Sequence, residues 1–341
     1  FDGTQHGDTM TGAFREPAGP GTFILHRLSV STEAPYAKRE VTFVDHGVHL
    51  SGTVFAPRDR GRHPAMIFVH GSGPEGRWAS AYLADYVARH GIVALIYDKR
   101  GVGKSGGDWR TATMSDLVLD ARAGIDLLAR RHDVDPRRIG VWGHSQGGEL
   151  APAIAARNPA VAWIIAADGP VGPQFHQDLF RVDTALAKRY SGTQLRDAEA
   201  LYAEFVDVAR TGAPHDQLRR DIARAGNAGW LADLAIPDDD SWIWTWYRTA
   251  GNYDDTPFWA TVSVPVLLIF GGDDQLVPVE PSVDGTRAIL AAHGNTKVAT
   301  RVFAAADHML HVPPSSPQGW PREPAGFPQV VVSFARGELR P

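Results

Sequence analysis

Short, unbroken apolar runs alternate along this chain with longer amphipathic stretches. Residues 64–69, 92–97, 138–142, 161–167 and 264–270 are runs of five to seven residues, mostly apolar, each ending in a polar or glycine-rich loop. Runs of this length without polar alternation are what a parallel strand needs when both of its faces are covered. The intervening stretches have helical spacing. One helix is predicted over 79–90 and stopped by Gly91. Another opens on the pair Thr113 and Asp116, a capping box, and presents Val118, Ala121, Ile125 and Leu128 on one face. Downstream, a helix over 283–293, a strand over 297–303 and a closing helix over 328–339 repeat the rhythm. Upstream, 41–43 and 48–55 flank the turn Asp45-His46-Gly47 as a hairpin whose second strand alternates through Val48, Leu50, Gly52 and Val54. Strands alternating with helices in this way predict an α/β fold with a doubly wound, mostly parallel central sheet.

Two stretches depart from the rhythm. Residues 1–38 are rich in Gly, Thr and Pro, with one short apolar piece at 22–25, and read as an N-terminal arm or the remnant of an upstream β-rich domain. Residues 174–260 are charged and helix-like, then dense in aromatics (Trp230, Trp242, Trp244, Trp246, Tyr247, Tyr253, Phe258, Trp259). About 85 residues between two core strands read as a helical cap inserted into a core made of 39–173 and 261–341. Most of its aromatics are expected to form the cap's own core, with a few lining a substrate pocket.

Composition narrows the chemistry. Of 341 residues, 43% are hydrophobic and 21% charged, as in ordinary globular enzymes. A net charge of −5 supplies no electrostatic reason to expect nucleic acid or an anionic membrane as partner. No apolar run approaches the ~18 residues needed to span a bilayer. Zero cysteines exclude disulfides, a thiolate nucleophile and zinc–thiolate sites together. The sequence opens on Phe1, not methionine, and the expectation attached to that is an exported protein whose leader has been removed.

The motif with most chemical content is Gly143-His144-Ser145-Gln146-Gly147, placed between the 138–142 strand and a helix-forming stretch over 149–156. A serine on so tight a strand-to-helix turn is pushed outward, and the next backbone N–H, on Gln146, lies at a helix N-terminus where it can donate to a developing oxyanion. Such a serine needs an imidazole to take its proton and a carboxylate to hold that imidazole. Catalytic groups of open parallel sheets gather at the strands' carboxyl ends. Asp274 and His308 stand at such ends, in the order Ser, Asp, His. Asp273 adjoins Asp274, and Asp168 closes the preceding strand, so both are alternative acids. His311 stands three residues after His308, but no H-E-x-x-H pattern makes the pair metal ligands. The loop 98–107 contains Gly101-x-Gly103-Lys104-Ser105, yet the phosphate-loop pattern would require glycine where Asp98 stands. That loop therefore reads as a structural turn braced by Asp98 and Arg100.

On His70-Gly71-Ser72-Gly73-Pro74, Tyr97-Asp98-Lys99-Arg100-Gly101, the Ser145 motif, the 271–278 stretch and Asp307-His308, the chain resembles the α/β-hydrolase superfamily over residues 40–341. The likeness is to bacterial serine esterases of the prolyl-oligopeptidase-like and dienelactone-hydrolase-like branches. It implies hydrolysis of small-molecule carboxylic esters through an acyl-enzyme, with Ser145 as nucleophile, His308 as base, Asp274 as acid, and no cofactor or metal. It further implies oxyanion donors on the backbone N–H groups of Gln146 and Ser72, with Gly73 the neighbour that could replace Ser72. A peptidase or amidase on the same triad, and a non-catalytic binding member of the fold, are the alternatives.

Overall fold

The computed structural model describes residues 2–16, 19–27, 33–314 and 319–339. Two units divide the chain at Pro35. The first is a small antiparallel sheet of β1 (Asp2–His6), β2 (Thr9–Glu16) and β3 (Gly19–His26), in that order. The sequence signalled only the piece within β3, because β1 is exposed along its whole length and carries no apolar face.

In the second unit the apolar runs become the strands of an eight-stranded sheet. They are β4 (Tyr36–Asp45), β5 (Val48–Pro57), β6 (His63–Val69), β7 (Val93–Tyr97), β8 (Val134–His144), β9 (Val161–Ala167), β10 (Val266–Gly271) and β11 (Val298–Phe303). Their order is β11-β10-β9-β8-β6-β7-β5-β4. From β7 to β11 all pairings are parallel, and β5 joins β7 antiparallel at the other end. β6, β7 and β10 are buried at every residue, which is why their sequences show no alternation.

Helices α1 (Ala81–Arg89), α2 (Met114–Ala129) and α3 (Gln146–Ala156) fill the first crossovers. Thr113 and Asp116 form the expected reciprocal cap of α2, and Val118, Ala121, Ile125 and Leu128 are buried beneath it. Between β9 and β10 the chain leaves the sheet for α4 (Gln174–Ala187), α5 (Gly192–Thr211), α6 (Asp216–Ala225), α7 (Ile243–Trp246), a π-helical turn over Tyr247–Gly251, and α8 (Thr256–Trp259). This excursion begins and ends at a neck, where Pro173 and Asp254 form an antiparallel bridge and the Gln174 N–H donates to the Tyr253 carbonyl at 2.9 Å. Helices α9 (Val279–Ala292) and α10 (Phe327–Arg336) complete the unit.

The aromatics of 174–260 divide three ways. Trp230, Trp244 and Tyr247 are buried in a core of the excursion's own, with Leu201, Tyr202 and Phe205. Trp242 and Trp246 line a cavity. Tyr253, Phe258 and Trp259 pack instead into the core beneath the sheet, and the Trp259 indole N–H donates to Asp255 at 2.7 Å.

Candidate active site

β8 ends at His144, and the chain must reverse at once to enter α3. Ser145 makes the reversal at φ 53°, ψ −119°, a conformation L-residues rarely adopt. It is held there by its N–H donating to the Ala167 carbonyl at 2.8 Å. The flanking glycines are steric requirements: a Cβ on Gly143 would lie 2.0 Å from the Gly147 carbonyl oxygen, and one on Gly147 would lie 2.3 Å from that of Val69.

The structure brings three of the predicted side chains into one chain of hydrogen bonds. His308, on the loop after β11, has Nε2 3.0 Å from Ser145 Oγ, and its Nδ1–H donates to Asp274 Oδ2 at 2.7 Å. Asp274 Oδ1 accepts from the N–H groups of Leu276 and Val277 at 2.7 and 3.0 Å, so three donors fix the carboxylate. Asp273 is exposed and stands outside this chain. His311 contributes only backbone, closing the His308 loop onto Asp307.

Asp168 lies directly behind. It is fully buried at φ 47°, and its Oδ1 accepts from the Gly271 N–H at 2.8 Å. Burial, reinforced by the charge of Asp274, raises it well above the usual carboxylate range despite the opposing Gly271 bond. Burial thus favours the neutral form of Asp168 beside the acid. Among the described residues, Asp168, Asp274 and His308 are the one set of side chains close enough to share a cation, their donor atoms lying within 4.8 Å of one another. Both His308 nitrogens and both Asp274 oxygens already have the partners just described, so these side chains meet as a hydrogen-bonded chain.

Three polar side chains that the sequence reading passed over position this site. Burial holds His144 near a pKa of about 4, so it is neutral; its Nε2–H donates to the His308 carbonyl at 2.8 Å, tying the middle residue of the Ser145 motif to the loop bearing the imidazole. His70, likewise held near 4 by burial and by Lys99, donates to the Tyr97 carbonyl at 2.5 Å. Lys99, 4% exposed, donates to the Gly71 carbonyl and to Gln146 Oε1, both at 2.9 Å, while the Gly71 N–H donates to Glu75 Oε2 at 2.8 Å. One ammonium thus joins the loop after β6 to the residue following Ser145. Asp98 and Arg100 do brace the glycine loop, Asp98 through Arg77 and the Lys104 N–H, Arg100 through Asp120 and Asp45.

Above Ser145 opens a cavity of about 460 Å³, shared between the sheet unit's loops and the helical excursion. Ser72, Ser145 and His308 line it together with Trp109, Trp242, Trp246, Phe205 and Leu276, which give it apolar surface.

A family described as "Serine aminopeptidase, S33" matches residues 61–200. The structure is similar to that of the esterase Pf2001 of Pyrococcus furiosus, with a TM-score of 0.57 at 21% identity, covering 91% of this chain and 94% of that one. The chain has the α/β-hydrolase fold. Among curated relatives, an uncharacterized protein of Mycobacterium tuberculosis, Rv2307c, is 31% identical over 137 residues, 40% of this chain and 47% of that protein. The thiohydrolase apmlB of Arthrinium phaeospermum is 31% identical over 178 residues, 50% of this chain and 56% of that protein. The chain thus spans about half the length of these two relatives.

Proposed function

We propose that this α/β hydrolase is a serine carboxylesterase. The observation that carries the reading is the continuous Ser145–His308–Asp274 hydrogen-bond chain, with Ser145 on a strained turn at the mouth of an apolar cavity. In this reading Ser145 Oγ attacks the ester carbonyl carbon as its proton passes to His308 Nε2. Asp274 holds the Nδ1 proton in place and stabilises the imidazolium that forms. Collapse of the tetrahedral adduct breaks the bond to the alkoxy oxygen, which takes the Nε2 proton and leaves as the alcohol. Water, deprotonated by His308, then attacks the acyl-serine; collapse of this second adduct breaks the bond to Ser145 Oγ, which takes the proton back from His308 Nε2, and the carboxylic acid departs.

The oxyanion is assigned to the Gln146 and Ser72 N–H groups. Among the described residues no backbone acceptor meets either of them, whereas the Gly71 N–H is already committed to Glu75. Such preorganised donors are worth about 10²–10³ in turnover each. The excursion over 174–260 acts as a cap, its tryptophans receiving the apolar part of the substrate.

An amidase or aminopeptidase on the same residues is the second reading, favoured by the description of the matching family. An aminopeptidase must receive a free ammonium, and the two carboxylates lining the cavity are already ion-paired, Asp178 with Arg181 and Asp233 with Arg189. This supports the ester. The test is labelling by an alkyl fluorophosphonate together with turnover of p-nitrophenyl butyrate and of aminoacyl p-nitroanilides. Labelling and butyrate hydrolysis, both lost in a folded Ser145→Ala variant, are expected; labelling that survives Ser145→Ala, or a preference for the anilides, would overturn the reading.

A further inference from the structure

At the excursion's end of the cavity, four polar side chains from three segments close on one another. Asp178, on α4, is 6% exposed. Its Oδ1 accepts two N–H groups of Arg181, from Nε at 3.0 Å and Nη2 at 2.6 Å. Its Oδ2 accepts the hydroxyls of Tyr202, on α5, and Tyr247, on the π-helical turn. Arg181 Nη2 also donates to the Tyr202 hydroxyl at 3.3 Å. Asp178 and the two tyrosines are thereby saturated. Arg181 is not: its Nη1 edge carries two N–H groups that meet no acceptor among the described residues, and its side chain is 41% exposed on the wall of the cavity that holds Ser145 and His308.

A network that only pinned three segments together would gain nothing from a guanidinium fork with one edge unspent. An arginine whose flexible stem is already fixed on one edge binds an acceptor on the other at little cost in side-chain entropy. We propose that Arg181 is a specificity-determining residue: its Nη1 edge donates to an uncharged oxygen acceptor, a ketone, amide or ester carbonyl, at the far end of an otherwise apolar ester substrate. The assignment rests on the ester-hydrolase reading above. The acceptor is uncharged because Asp178 already cancels the guanidinium charge. The same wall also carries Gln174, whose Oε1 is unpartnered and disfavours a carboxylate. The aromatic residues that line the same cavity take the apolar body.

The experiment compares p-nitrophenyl alkanoates of increasing length with their terminal methyl-ketone counterparts. At the length that spans the cavity, wild type should favour the ketone by ~10-fold or more in kcat/KM, mainly through KM, as expected for a hydrogen bond from a charged donor. Arg181→Lys, which keeps a cation beside Asp178 but loses the planar fork, should erase that preference and leave turnover of the plain alkanoate within about threefold. The double variant Asp178→Asn/Arg181→Met, which leaves no buried charge unpaired, should do the same and guards against misfolding of Arg181→Lys. A wild type indifferent to the ketone at every length, a preference that survives Arg181→Lys, or a hemiester carboxylate preferred over the ketone would each overturn the assignment. If neither series is hydrolysed, it is the ester reading that fails. Arg181 is then judged by calorimetric Kd of the same two esters for Ser145→Ala, where equal affinities for ketone and alkane overturn it.

Discussion

Replacing Lys99 by methionine should separate stability from turnover. The ammonium is almost fully buried, and burial lowers its pKa from 10.5 to about 8, Glu75 and Asp120 opposing the shift. A depression of that size corresponds to about 3 kcal/mol of charge-burial penalty in the native state at neutral pH. Methionine, of similar length and apolar, removes the penalty but strands the Gly71 carbonyl and Gln146 Oε1, at ~1–3 kcal/mol each. The two effects largely offset, so stability from urea titration at pH 7 should change by no more than ~3 kcal/mol. Turnover should not be spared, because Lys99 links the two segments to which the proposed oxyanion donors are assigned; misplacing one by about an ångström costs ~10²-fold in kcat with little change in KM. The pH dependence fixes the sign. The native state holds this lysine's proton less tightly than the unfolded chain, so between about pH 8 and 10.5 the unfolded chain binds more protons and stability contributed by this group rises with pH. The penalty is fully present below pH 8, and the stability gap between wild type and Lys99→Met should shift in favour of wild type as pH rises toward 10. Paired urea titrations at pH 7 and 10, with p-nitrophenyl butyrate kinetics, read all of this. A folded Lys99→Met enzyme with wild-type kcat would refute the reasoning.

Two further substitutions probe the reaction centre. Gly147→Ala would set its methyl 2.3 Å from the Val69 oxygen and 2.9 Å from that of His70, both backbone, so the strained turn must open; activity should vanish and the melting temperature fall, and an active, equally stable variant would show the turn to be looser than described. Asp168→Asn keeps an acceptor for the Gly271 N–H and replaces the carboxyl proton with an amide hydrogen, so kcat should stay within about threefold. Because the native pKa of Asp168 is raised, wild type loses stability from this group as pH climbs above the unfolded-state value near ~4, and melts across pH should show that slope removed in Asp168→Asn.

The centre of the sheet was legible in the sequence because strands such as β6, β7 and β10 are buried on both faces and advertise themselves as unbroken apolar runs. Ser145, Asp274 and His308 were legible for a different reason: each stands where a run stops, and their order along the chain restricts the choices. Between the adjoining carboxylates the sequence had only spacing to offer, while in the structure Asp273 is exposed and Asp274 buried. Lys99 was missed because a lysine beside arginine and glycine after a strand looks like a solvated turn; its acceptors lie 28 and 47 residues away. His144 was read as a filler position of the motif, and nothing local shows that it holds a carbonyl 164 residues on. The pair Asp178 and Arg181, spaced as a surface ion pair on a helix, conceals the same kind of long-range partner in Tyr202 and Tyr247. The boundary near 260 blurs because Tyr253 and Trp259 carry the same aromatic signal as the excursion's own core yet pack under the sheet.

The neck at Pro173 and Asp254 has a consequence for how such an enzyme can change. The chain leaves the sheet and returns to it at neighbouring points, tied by the bridge and by the Gly172 N–H donating to Asp255 at 2.7 Å. Everything between is a closed loop hung on a fixed stem, and Ser145, Asp274 and His308 all lie outside it. Residues that shape one side of the cavity can thus be lengthened, shortened or exchanged wholesale while Ser145, Asp274 and His308 keep their spacing, so the shape of the cavity and the hydrogen-bonded chain at its base are separable parts of one chain.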